Sequence, residues 1–266
     1  MLKIEVRYRP IGWLPFSRRV ECDVPQNWCE VTQNQLIAIA RLYKSGISDF
    51  AFLKTMSGLK GKIINRLSDF ERFKLTEIFD FVGDQKPYHE FIIHQIVLPS
   101  QRLRNGEILF APEGKLKGVT FGQFIFADSY FANYQQSSDQ NDLNKFIASL
   151  YLKKDELFDE KHIQNRHAKI GKIDKNTREA IALNYQLIHE WLALAYPLIF
   201  QKRQESIDDD KTRNQQPATN DPNSWIKVFQ NFVGDDIIHD EVWAAKPVNT
   251  IFSYMTRKYK ENARKK

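Results

Sequence analysis

The longest apolar pattern in the chain runs from Asn176 to Phe200. Ala180, Ile181, Leu183, Leu187, Ile188, Trp191, Leu192, Ala195 and Leu198 recur there at helical spacing. A helix apolar over so much of its circumference needs partners on several sides, so it predicts a helical body with this segment at its centre. Pro197 sets an end or a bend near Tyr196.

Other helices are predicted around it. Thr32 and Gln35 have capping-box spacing and open a helix bearing Leu36, Ile37, Ile39, Ala40 and Tyr43, which Gly46 stops. Ser48 to about Met56 predicts a short helix, with Gly58 and Gly61 in the turn beyond it. Ser68 caps a third, whose Phe70, Phe73, Leu75, Ile78, Phe79 and Val82 read as one broad apolar face. Thr120 and Gln123 repeat the capping spacing before a helix with Phe121, Phe124, Phe131 and Tyr134. Asp142 reads as the cap of a helix carrying Leu143, Phe146, Ile147, Leu150 and Tyr151.

The first 30 residues follow a different period. Leu2, Ile4, Val6 and Tyr8 alternate with Lys3, Glu5, Arg7 and Arg9, and Arg18 to Val24 reads as a return strand. A lone hairpin is marginal, so it must pack on something or pair with another chain. Between Glu90 and Val119, Phe91 to Leu98 reads as a helix or a buried strand, with the helix favoured and Pro99 ending it. Glu107 to Phe110 and Lys115 to Val119 read as a small hairpin across Ala-Pro-Glu-Gly.

Residues 201–222 hold one isoleucine as their only strong hydrophobe and predict a flexible polar linker. Beyond it, Ser224 caps a helix with Trp225, Val228, Phe229 and Phe232, and a second helix from Val248 carries Ile251, Phe252, Met255 and Tyr259. Two such helices bury little alone. They dock on the main body, on a second copy, or on a different protein. The expected class is therefore mainly α with a small β element (α+β). Its expected layout is an N-terminal β-hairpin (1–30), a helical body (31–200), the linker (201–222) and a C-terminal helical segment with a basic tail (223–266).

The net charge is +6, yet the last ten residues contain six bases and one acid. These are Arg257, Lys258, Lys260, Arg264, Lys265 and Lys266 against Glu261, a net of +5, which leaves about +1 for the rest. A basic tail suits phosphate or an acidic partner, and equally suits the C-terminal end of a helix dipole. No run of 18 apolar residues exists, so no membrane span is expected. The start alternates and is charged, unlike a secretory leader. Cys22 and Cys29 are accordingly read as reduced thiols.

Motifs for chemistry are missing. The eleven glycines form neither a phosphate loop nor a dinucleotide fingerprint, and no nucleophile elbow or zinc-protease helix motif occurs. His162 and His167 are five residues apart, about 140° around a helix, so they share no face. His189 reads as a hydrogen-bonded, partly buried residue of the apolar helix. The triple acid Asp208 to Asp210 reads as solvated linker. No catalytic, metal or cofactor site is expected. Trp13, Phe16, Arg18 and Arg19 of the hairpin, with Trp225, Phe229, Phe232 and Trp243, are the candidate partner-binding residues, because Trp and Arg are enriched at interfaces.

Several stretches together carry a resemblance. They are Thr-Gln-Asn-Gln-Leu at 32–36, Gly-Val-Thr-Phe-Gly-Gln-Phe-Ile-Phe-Ala-Asp-Ser-Tyr-Phe at 118–131 and Asp-Leu-Asn-Lys-Phe-Ile-Ala-Ser-Leu-Tyr-Leu at 142–152. Ala-Tyr-Pro-Leu-Ile-Phe at 195–200 and Trp-Ile-Lys-Val-Phe-Gln-Asn-Phe-Val at 225–233 complete the set. The layout resembles proteins encoded in morphogenesis regions of tailed phages and prophages of Bacteroidetes, similar in turn to tail assembly chaperones. The resemblance implies a non-enzymatic tail assembly chaperone without cofactors. Such a protein binds other phage structural or assembly proteins, such as a helical tape-measure chain, in the host cytoplasm. A virion neck, connector or ring protein, a homo-oligomer carried into the particle, is the alternative, since a hairpin is least expected of a chaperone. Two further classes remain: a nucleic-acid-binding accessory protein using the tail and the Arg-rich hairpin, and a metal-dependent enzyme using His162, His167 and the nearby acids Asp159 and Glu160.

Overall fold

Strands β1 (Leu2–Tyr8) and β2 (Arg18–Val24) pair antiparallel from Leu2↔Val24 to Tyr8↔Arg18, as the alternation predicts. The computed structural model describes residues 1–11, 16–44, 46–84, 86–99, 106–200, 225, 228 and 240–264. The chain divides after Tyr88 into two units, Met1–Tyr88 and His89–Lys266. The hairpin is part of the first unit and does not stand apart, because Ile4, Val6, Cys22 and Val24 are buried on its inner face. The expected body of 31–200 is thus shared between the two units.

In the first unit, helices α1 (Gln33–Lys44), α2 (Asp49–Ser57), α3 (Gly61–Ile64) and α4 (Asp69–Ile78) accompany the hairpin, and β2 lies against α2. The capping box closes as predicted. Thr32 N donates to Gln35 Oε1 at 2.9 Å, and Gln35 N to Thr32 Oγ1 at 3.4 Å. Gln35 Nε2 also donates to Met56 O at 2.8 Å, fastening α1 to the end of α2. Gly58 ends α2 in the left-handed region, φ +67°, where a side chain would be strained. Leu36, Ile39, Met56, Ile64 and Leu75 form the innermost layer.

Helix α4 departs from expectation. Ser68 caps it, but it stops at Ile78, and the 3-10 turn of residues 80–82 turns Phe81 and Val82 inward. Phe70 and Phe73 are left outside, 72% and 60% exposed.

In the second unit, α5 (Phe121–Ser137), α6 (Gln140–Leu150), α7 (Glu160–Ile170) and α8 (Lys175–Ala195) form the main layer. Helix α8 is central, with Ala180, Ile181, Tyr185, Leu187, Ile188 and Leu192 fully buried. It ends two residues before Pro197. Strands β3 (Gln95–Leu98) and β4 (Glu107–Phe110) pair from Gln95↔Phe110 to Leu98↔Glu107. The expected helix over 91–98 is therefore wrong. Ile96 and Leu98 point inward while Gln95 and Val97 do not, a period of two hidden in an apolar run. The expected partner of 107–110 is also wrong: Gly114–Leu116 is a 3-10 turn, and only Glu113↔Lys117 forms a bridge there. The cap of α6 is Asp139, three residues before Asp142. Helix α7 turns only Ile163, Arg166 and Ile170 inward.

Helices α9 (Asp240–Ala244) and α10 (Val248–Arg264) close the unit. Val248 N donates to Val119 O at 3.0 Å and Phe121 N to Lys246 O at 2.8 Å. Phe252 meets Phe121 and Phe124 at 6.2 and 5.1 Å. The C-terminal piece therefore docks on its own unit, the first of the three expected arrangements. The expected linker 201–222 lies outside the described residues. Among the described residues, no helix is long and apolar enough to cross a membrane.

Candidate functional site

Three polar constellations stand out, and they differ in what they leave open. The first centres on Asp128 of α5, buried to 7% exposure. Tyr185 Oη donates to Asp128 Oδ1 at 3.2 Å, His189 Nε2 donates to the same oxygen, and Trp225 Nε1 donates to Oδ2. Aromatic rings enclose the group: Phe131 lies 4.9 Å from Tyr185 and 5.6 Å from His189, and Phe124 lies 5.0 Å from Trp225. Burial alone would lower the pKa of His189, but the Asp128 carboxylate overrides it by charge and hydrogen bond, holding the imidazole above its ordinary value. Burial and the same carboxylate push the Tyr185 phenol well up. With three donors on one buried carboxylate, the arrangement fastens elements together.

The second is an ionic network around Arg166, whose side chain is 5% exposed. Its guanidinium donates to Glu156 and lies 3.9 Å from Glu107. Lys153 and Lys169 reach Glu107 at 2.9 and 3.5 Å. Burial raises both carboxyls, but Lys153, Lys169 and Arg166 outweigh it at Glu107, and Arg166 with the Lys153 amide and His162 does so at Glu156. Both end below the ordinary carboxylate range. His162 Nε2 faces Glu156 at 3.5 Å, whereas His167 Nδ1 turns back on the Ile163 and Gln164 carbonyls. The two histidines do not converge. Among the described residues, no group of three His, Cys, Asp or Glu is placed to hold a metal ion.

The third is a groove of about 610 Å³ in the first unit, lined by Lys3, Ile4, Glu5 and Arg7 of β1 and by Phe70, Glu71 and Lys74 of α4. Its strand side can be read from two bonds. Lys74 Nζ donates to Glu5 O at 3.1 Å, and Arg9 N donates outward to Arg66 O at 3.4 Å, so both bonds join the strand to residues outside the hairpin. Along an antiparallel strand the N–H and C=O of one residue point together and alternate with the next. Lys3, Glu5 and Arg7 therefore turn their backbone groups away from β2 and toward the groove. Residues 66–67 cover the far end of this edge, through the Tyr8↔Leu67 bridge. On the helix side Glu71 is only 8% exposed, and its Oε2 is buried without a hydrogen-bond partner.

The sequence-predicted residues fall in several places. Trp13, Phe229, Phe232, Lys265 and Lys266 lie outside the described residues. Phe16, Arg18 and Arg19 are exposed, with Arg19 paired to Glu5 at 3.3 Å. Trp225, expected at a partner surface, is buried to 5% within its own unit. Trp243 is half-buried, with Lys246 Nζ 5.8 Å from its ring centre. Arg257 and Lys258 sit against the Tyr254 ring and Glu261, while Lys260 and Arg264 are exposed along the last turns of α10. The groove residues Phe70, Glu71 and Lys74 were missed. Their one sequence signal is a phenylalanine pair in excess of what a ten-residue helix can bury.

No protein-family profile matches the chain, and no curated protein and no solved structure gives a significant match.

Proposed function

We propose that the chain is a non-enzymatic morphogenesis factor of a tailed phage, a tail assembly chaperone that holds other phage proteins in the host cytoplasm. The groove along β1 is the observation that most supports this. An open strand edge is a template for another chain, and folded proteins ordinarily cover or distort such edges. Here the edge runs beside exposed Phe70, and the backbone groups of Lys3, Glu5 and Arg7 turn toward the groove, where the Lys74 amino group holds Glu5 O. A client held there is extended, which departs from the helical client the resemblance implies.

The same edge supports a second reading, a ring or connector in which one copy extends the hairpin of the next. The two separate in one experiment. The full chain is co-expressed with the tail proteins of its own phage, and the absolute mass of the purified product is measured by light scattering. A monomer or small oligomer that keeps a tail protein soluble, and co-purifies with it, is expected. A ring-sized homo-oligomer moves the assignment to the connector. A tail protein equally soluble without the chain removes the chaperone reading.

A further inference from the structure

We propose that the groove takes an extended segment of another polypeptide as a third strand beside β1. The segment carries an acidic–apolar–basic–apolar–acidic alternation. This rests on the reading of the groove as a polypeptide site and adds the chemistry of what it selects.

The pattern follows from β1 itself. Lys3, Glu5 and Arg7 lie exposed on the outer face, while Ile4 and Val6 point inward. A strand added at this edge sets one residue opposite each of these five. Opposite Lys3 and Arg7 an acid is favoured, and opposite Glu5 a base. The two intervening side chains face the α4 side, where Phe70 offers an apolar surface. The alternation reads the same in both directions, so it holds for a parallel or an antiparallel strand.

The same charges disfavour a second copy. Antiparallel β1–β1 pairing centred on Glu5 sets Glu5 against Glu5 and Lys3 against Arg7 of the other copy, like charge against like. The groove also asks for donors. Glu71 Oε2 lies buried at its wall without a partner, and buried acceptors are almost always paired, so the guest must bring one. The Lys74 amino group now occupies Glu5 O, the position an incoming backbone N–H would take.

The test uses the full chain and a labelled peptide containing Glu-Val-Lys-Val-Glu, against its charge-swapped counterpart Lys-Val-Glu-Val-Lys. Binding is followed by fluorescence anisotropy. Converting three cross-strand pairs from opposite to like charge is expected to weaken binding by about tenfold. The double variant Lys3→Glu, Arg7→Glu should reverse the preference. Both positions are exposed and the Lys3–Glu21 pair that is lost lies at the surface, where such pairs contribute little, and a reversal is more than a loss of folding could produce. Phe70→Ser should weaken both peptides. On binding, the amides of Lys3, Glu5 and Arg7 should gain protection from hydrogen exchange. Equal affinity for both peptides, no binding at millimolar peptide, or protection elsewhere overturns the proposal. So does self-association that the double variant abolishes, because a second copy is then the occupant. Peptide binding without any tail-protein client would leave this inference standing and remove the chaperone reading; the reverse result would do the opposite.

Discussion

The indole of Trp225 donates its hydrogen bond to Asp128, 97 residues earlier in the chain. From sequence, Trp225 reads as a partner-binding anchor on the apolar face of a short helix. In the fold it is an internal bolt: Phe121, Phe124, Phe200 and Phe252 pack around it, at 6.3, 5.0, 5.4 and 5.8 Å.

Replacing that bolt should cost as much as a core truncation. Trp225→Ala is expected to lower unfolding free energy by about 3–5 kcal/mol, and Asp128→Ala by on the order of 3 kcal/mol. The two should be strongly non-additive, because they share one contact. Urea unfolding of the two single variants and the double variant measures this. Simple additivity would show that the bond contributes little.

The Asp128–His189 pair gives stability a slope on the alkaline side. The folded pKa of His189 is raised, so its contribution is complete below the unfolded value of about 6.5 and is lost as pH climbs through the folded value above it. Thermal unfolding from pH 6 to 9 should show a decline that His189→Gln flattens. An unchanged slope in that variant would assign the decline elsewhere.

The Glu107, Glu156 and Arg166 network acts at the opposite end. Both carboxyl pKa values are lowered, so their contribution is complete above about 4.3 and is lost as pH falls through the folded values. Arg166→Met leaves two largely buried carboxylates short of a partner, and is expected to cost about 3 kcal/mol near neutral pH. Adding Glu156→Leu and Glu107→Leu should recover much of that loss. If the triple variant is no better than the single one, the arginine contributes through packing and not through charge.

The two thiols should separate cleanly. Burial, with a smaller push from Asp23 and an opposing one from Lys74, moves Cys22 up to about 11, whereas Cys29 is exposed. Iodoacetamide at neutral pH should label Cys29 alone in the native chain and both after unfolding, read by peptide mass. Labelling of Cys22 in the folded protein would reveal opening of the hairpin.

What the sequence makes legible here is whatever has a long, regular period. The alternation of Leu2 to Tyr8 sets the hairpin, and the apolar recurrence through Leu192 sets the central helix. The Thr32–Gln35 spacing sets a cap that forms as drawn. Short or mixed patterns mislead. Strand β3 has four residues inside the run Phe91 to Leu98, too few for its period to show. Helix α7 buries three side chains, one of them an arginine, so it resembles solvated chain. The groove was invisible for a different reason. Phe70 and Phe73 carry the same letters as core phenylalanines, but they lie about 140–160° around α4 from buried Leu75 and so stay outside. The direction of the free strand edge depends on which alternate residues face β2, and no composition or spacing states that.

The docking of the C-terminal piece has a consequence for how the polypeptide can be handled. Trp225 on Asp128 and Val248 on Val119 hold that piece by contacts that do not require an unbroken chain between residues 201 and 222. Two fragments, 1–200 and 223–266, produced from separate genes should therefore find each other and reassemble, making the protein a natural split reporter.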